Sequence, residues 1–164
     1  FKKQKKKYDL IIDIQGDEPL ISPYHIDQVI MYHKKNPEVD IILPSLKIKP
    51  VNSTSIVKIV KDKKNNVLYL SRANIPFEFK ENAKFLYKHL SIISFKNKSL
   101  IKYSSNKKTQ LEKIEDIELL RALEIGLKIK SINLKGDSFS VDILDDYKKA
   151  ETYMKKDKLF KLYK

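Results

Sequence analysis

The 164-residue sequence has no cysteine, three glycines, three histidines and two arginines, Arg72 and Arg121. Without cysteine there is no disulfide, no thiolate metal site and no cysteine nucleophile, and the expected setting is a reducing cytoplasm. No apolar stretch approaches the ~20 residues that cross a bilayer, so no membrane partner is expected. The opening, FKKQKKKYDL, carries neither an apolar run nor an initiator methionine. It reads as no signal peptide, and a chain beginning on Phe1 as a fragment. The glycines form no phosphate loop, and there is neither a nucleophile elbow nor a zinc signature.

What is abundant is lysine. Basic residues number 34 against 21 acidic ones, for a net charge of +13. The excess is spread along the chain, whereas base reading and tight phosphate clamping favour arginine forks. No specific nucleic-acid partner is expected; a generally positive surface attracts small anions. With 41% hydrophobic and 34% charged residues, the chain reads as one globular domain spanning 1–164.

The apolar run YDLIIDI (8–14) predicts a buried strand that stops at Gln15-Gly16 and presents Asp17 and Glu18 side by side. Ser22-Pro23 starts a helix with Ile26, Val29, Ile30 and His33 on one side, ended by Asn36-Pro37. VDIILPSL (39–46) is a second strand, and strand–helix–strand predicts a parallel pair with a right-handed crossover. Residues 55–62 and 67–72 predict a hairpin, 74–79 a loop, and 85–95 a single strand. One helix is predicted over 109–126, with Thr109 and Glu112 as a capping box and Gly126 as terminator. A strand follows at 127–134, then a lysine-rich helix from about 143.

Asp17 sits at the carboxyl end of a strand, where open α/β sheets bind ligands. Two readings stand: Asp17 and Glu18 solvate a turn, or they hold a cation. Asp142, after FSV and before a helix, is either a helix cap or a second carboxylate able to converge on Mg2+. Arg72 suits planar, bidentate recognition of a carboxylate or phosphate, or a salt bridge at the hairpin end. His25 and His33 read as structural. His89, at the head of a strand, can meet an anionic or hydroxylated ligand. Glu112, Glu115 and Glu118 read as solvent contacts mixed with pairing to Lys113 and Arg121.

Five stretches, taken in order, resemble the CMP-Kdo synthetases (3-deoxy-manno-octulosonate cytidylyltransferases). They are QGDEPLI (15–21), VKIVKD leading into LYLSRANIPF (57–77), KHLSIISF (88–95), LEKIEDIELLRALEIGLKI (111–129) and SVD (140–142). The resemblance implies a Rossmann-like α/β nucleotidyltransferase sheet, mixed and mostly parallel, with a β-hairpin insertion. It also implies transfer of CMP from CTP to an acidic eight-carbon keto-sugar for lipopolysaccharide biosynthesis, with release of diphosphate. Asp17 and Asp142 match the positions that hold Mg2+. Gln15 and Arg72 match sugar-acid contacts, and His89 and Glu118 match positions that hold its hydroxyl or carboxylate groups. A homodimer is the family default.

The departures are equally specific. Leu119 stands where well-known members carry glutamine, and Ile93 where an aromatic is common. Both remove hydrogen-bonding groups, so a sister enzyme for another acidic sugar is the alternative. Ile143 and Leu144 replace the family's Thr-Pro, so Asp142 is expected to cap the helix itself. Nothing matches the family's basic, Gly/Pro-containing CTP loop. The expectation is therefore the central and C-terminal part of such an enzyme, lacking the first strands; a non-catalytic sugar-acid-binding module is the third reading.

Overall fold

The computed structural model describes residues 8–163. A short strand β1 (Leu10–Ile14) leads through the acidic loop into helix α1 (Pro23–Lys35) and the long strand β2 (Ile41–Ile48). The hairpin β3 (Lys58–Lys61) and β4 (Val67–Ser71) follows, then β5 (Leu86–His89) and β6 (Ile92–Lys96). Helices α2 (Asn97–Ser105), α3 (Gln110–Glu115) and α4 (Leu119–Glu124), strand β7 (Ile129–Leu134) and helix α5 (Leu144–Met154) complete the fold, before a 3-10 turn at Phe160–Tyr163. Among the described residues no helix is long and apolar enough to cross a membrane.

The sheet runs β1-β6-β2-β5-β3-β4, with β7 on the other side of β2. It is mixed, but not mostly parallel as expected. Among the described residues only β2–β7 is a parallel pair, while β1–β6, β2–β6, β2–β5, β3–β4 and β3–β5 are antiparallel. The expected β1–β2 pair is interrupted because β6 returns between them, antiparallel to both. β1 and β2 thus point the same way without touching, and a strand from 80 residues downstream is invisible to a local reading of strand–helix–strand.

Alternation along the central strands divides the core into two layers. Ile41 and Leu43 of β2, with Ile93 and Phe95 of β6, face Ile117, Leu119, Leu120 and Ala122 of the α4 side. Ile42 and Leu46, with Ile92, face Val29 of α1. Buried on both faces, the first six residues of β2 carry no polar alternation beyond Ser45. α1 also buries His33, whose ring bonds Ser94 Oγ at 2.7 Å and the Val39 carbonyl at 3.2 Å. Burial holds its pKa below the ordinary value, as suits a structural histidine.

Two segments expected to be continuous are broken. Residues 85–95 part at Leu90–Ser91 into β5 and β6, because β5 turns to pair with β3 while β6 pairs with β1. The helix expected over 109–126 is divided at Asp116, which is left-handed at φ 52°. An Asp tolerates that conformation better than most residues, and Ile117 drops into the core at 5% exposure. Gly126 does end α4, at φ 74°, with the Leu127 N–H returning 2.9 Å to the Ala122 carbonyl.

The hairpin curls until its turn meets β7, the Ser131 N–H donating 2.9 Å to the Asn65 carbonyl. Inside the curl, Lys61 Nζ donates to Ser45 Oγ at 3.1 Å and to Asn133 Oδ1, and lies 4.1 Å from the Tyr87 ring centre. None of these partners is a carboxylate. Burial, helped by Lys47, pushes the ammonium down to about 8 from 10.5. Between those values the unfolded chain binds more protons than the folded one, so stability climbs as pH rises through that window. Urea midpoints measured below and above pH 8 should show this rise, and Lys61→Met should flatten it. A parental slope in the variant would reassign the effect.

Candidate active site

Where β5 and β6 part, β1 stays with β6 and β3 with β5, and a cleft opens between them. Its volume is about 310 Å³. Gln15, Asp17, Arg72, His89, Glu118 and Asp142 all line it, together with Glu18, Lys88, Ser91, Ile93 and Leu119. Six residues singled out along 128 positions of sequence thus share one wall-to-wall space.

The acidic loop leaves the carboxyl end of β1, and the Gln15 N–H is fixed 3.1 Å from the Ser91 carbonyl at the β5–β6 break. Asp17 is exposed; its carbonyl accepts from the Val141 N–H at 2.8 Å. That single backbone bond brings Asp142, one residue further on, to the same rim. Asp142 is not the helix cap expected of it. Asp146 Oδ2 reaches back to the N–H groups of Asp142 and Ile143, both at 3.3 Å, while the Asp142 carboxylate accepts from Ser140 Oγ at 2.9 Å. An acid inside the first turn has taken over the capping.

Arg72 closes the hairpin against the α3–α4 break. Its guanidinium donates to the carbonyls of Glu115 (2.9 Å), Thr54 (2.9 Å) and Asp116 (3.1 Å). Among the described residues no carboxylate pairs with the guanidinium, so these neutral acceptors take the place of the salt bridge read as one option for it. Glu115 in turn accepts from Ser71 Oγ at 2.7 Å and the Arg72 N–H at 3.0 Å. Glu118 stands exposed at the start of α4.

His89 Nε2 is buried and has no hydrogen-bond partner among the described residues. Burial first, and the neighbouring Lys88 charge second, push the ring down to about 4. At neutral pH it is therefore an uncharged imidazole with an unmet hydrogen bond in a cleft wall. A buried polar atom left unpaired is costly, and a ligand group would relieve it.

Sequence reading missed Glu18 and Lys88. Glu18, read with Asp17 either as solvating a turn or as holding a cation, is 4% exposed; Lys88 is 8% exposed. The signal was present in β5, where Leu86 and Lys88 alternate inward with Tyr87 and His89 less buried. A lysine at an inward position calls for a nearby carboxylate. Which carboxylate it was depended on the fold.

Asp17 and Asp142 meet where the acidic loop joins residues 140–142, Glu18, Asp116 and Glu118 also line the cleft, and among the described residues no group of three metal-ligating side chains converges. Two exposed carboxylates suit a hard divalent cation, of the kind that binds through one or two carboxylates plus substrate phosphates. The donor set fits a cation shared with a nucleotide better than one held by protein alone.

A 3-deoxy-manno-octulosonate cytidylyltransferase of Arabidopsis thaliana, described as mitochondrial, is 38% identical over 93% of this chain and 54% of its own length. An 8-amino-3,8-dideoxy-manno-octulosonate cytidylyltransferase of Shewanella baltica is 37% identical over 89% of this chain and 61% of its own. Among solved structures, a CMP:2-keto-3-deoxy-manno-octonic acid synthetase complexed with CTP superposes with a TM-score of 0.84 at 25% identity. It covers 93% of this chain and 64% of that one. The α/β nucleotidyltransferase fold is thus the one expected, whatever the strand directions. The chain spans a little over half the length of these curated relatives. A family model described as Cytidylyltransferase matches residues 1–129, and the chain belongs to that family.

Proposed function

We propose that this chain forms the sugar-acid side of an enzyme that transfers CMP from CTP to 3-deoxy-manno-octulosonate, releasing diphosphate. What supports the reading is the convergence of Gln15, Asp17, Arg72, His89, Glu118 and Asp142 on one cleft, in a chain of this family. The anomeric hydroxyl attacks the α-phosphorus, a new P–O bond forms as the bond to diphosphate breaks, and the hydroxyl proton is released. Such chemistry depends on positioning and charge neutralisation. Arg72 supplies fixed positive charge toward the sugar carboxylate. Neutral His89 pairs a hydroxyl through Nε2, and Gln15 and Glu118 orient the remaining polar groups. Mg2+ held by Asp17 and Asp142 would offset phosphate charge and acidify the attacking hydroxyl. A cytoplasmic homodimer belongs to the same reading.

Leu119 and Ile93, at 5% and 6% exposure in the cleft wall, favour a second reading in which the sugar acid differs from 3-deoxy-manno-octulosonate. Apolar groups there reward a substrate that lacks a hydroxyl at that contact. Diphosphate release by the complete gene product, with CTP, Mg2+ and both 3-deoxy-manno-octulosonate and its 8-amino-8-deoxy analogue, decides. Turnover with either is expected, the preferred one giving the higher kcat/KM. Absence of turnover with every keto-sugar acid tried would leave only a binding role.

A further inference from the structure

Between Leu134 and Leu144 the chain has no regular secondary structure, yet it carries Asp142. Its course is fixed by a few bonds. His25 Nε2 pairs with the Lys135 carbonyl at 2.9 Å. Further along, Ser138 meets a buried cluster: its carbonyl accepts from Lys88 Nζ at 2.7 Å, and its hydroxyl donates to Glu18 Oε2. Glu18 Oε1 accepts from Ser91 Oγ at 2.9 Å and lies 3.9 Å from Lys88 Nζ. The side chains of Lys88 and Glu18 are 9% and 3% exposed. Last, the Val141 N–H reaches the Asp17 carbonyl.

We propose that the buried Glu18–Lys88 pair is a positioning device that sets the separation of Asp17 and Asp142. This rests on the two-aspartate site proposed above. Glu18 is covalently next to Asp17, and Ser138, four residues before Asp142, is clamped by both members of the pair. Apart from the Val141–Asp17 backbone bond, no helix or strand hydrogen bonds tie the two acids together, so side chains reaching from the loop and from β5 share in setting their distance. Burial makes the clamp stiff: neither charge can turn to solvent without leaving its partner uncompensated. Outer groups that fix ligand carboxylates ordinarily carry much of a site's affinity.

The test uses Mn2+ as probe, titrated by electron paramagnetic resonance into the complete gene product, with amide exchange at Val141 as a second readout. Glu18→Gln and Ser138→Ala should each weaken Mn2+ binding roughly 10- to 100-fold and speed exchange at Val141. Ser138→Ala removes one hydroxyl and no charge, so it reports even if Glu18→Gln fails to fold. Asp40→Asn is the control for general loosening: its carboxylate serves Ser99 and the Lys128 N–H outside the cleft. It should lower stability and leave Mn2+ affinity unchanged. Parental Mn2+ affinity in Ser138→Ala, with Asp17→Asn defective, overturns the positioning role alone. Parental affinity in Asp17→Asn overturns the two-aspartate site, and the positioning role with it.

Discussion

Asp17→Asn should leave the fold intact and lower diphosphate release by the complete gene product about 10³-fold, or ~4 kcal/mol of transition-state stabilisation. The first half follows from what Asp17 does structurally. Its side chain is exposed and makes no hydrogen bond or ion pair among the described residues. What the fold takes from this residue is its carbonyl, which receives the Val141 N–H and is unchanged in asparagine. Melting temperature should therefore stay at the parental value. The second half follows from charge. Asparagine offers one neutral oxygen where the carboxylate offers two charged ones, and a hard cation shared with phosphates loses half of its protein charge. Affinity for CTP in the presence of Mg2+ should weaken alongside the rate. A variant that turns over like its parent would remove Asp17 from the site, whatever its position on the rim.

The sequence was most legible where chemistry and local geometry coincide. QGDEP after an apolar run fixed both the end of β1 and a cluster of polar side chains at a strand end, and Ser22-Pro23 and Gly126 marked helix limits that hold. It was least legible where a distant strand decides the outcome. β6 inserts between β1 and β2, so a parallel pair became two antiparallel ones, and the same strand's divergence from β5 created the cleft. Asp116 illustrates a third case. Leu111, Ile114, Ile117 and Leu120 keep helical spacing across it, yet Ile114 is 70% exposed and Ile117 is core. The period was right for two short helices and wrong for one long one, because Arg72 and Glu115 hold the break from the hairpin side. Glu18 could not be separated from Asp17 by sequence: adjacent acids in one loop point to opposite environments, one to solvent and one to Lys88.

Arg121→Met should cost about 3–5 kcal/mol, a large share of the ~5–15 kcal/mol that holds a typical domain together. Glu112 is 1% exposed, and its carboxylate receives both Arg121 Nε and Nη2 at 2.7 Å, with the Thr109 N–H at 3.3 Å. Without the guanidinium a buried negative charge keeps one backbone donor. Arg121 also stacks 4.4 Å from the Tyr103 ring centre, so its loss opens a packing gap as well. Removing both charges together, in Glu112→Leu with Arg121→Met, should recover much of the loss, since an apolar pair often replaces a buried ion pair without penalty. Urea unfolding of the two single variants and the double variant gives the coupling directly. The pH dependence carries its own sign. Arg121's hydrogen bonds are the main reason the Glu112 pKa lies below its ordinary 4.5. The stabilisation is present above that value and is lost as pH falls through the depressed one, so Arg121→Met should flatten the acid limb. A cost under ~1 kcal/mol would class the pair with exposed bridges. Function is tied to the same bond, because it joins α3 to α4 across the Asp116 break and so holds Glu118 and Leu119 at the cleft wall. The destabilised variant, assayed well below its melting temperature, should therefore show a raised KM for the sugar acid with little change in the KM for CTP.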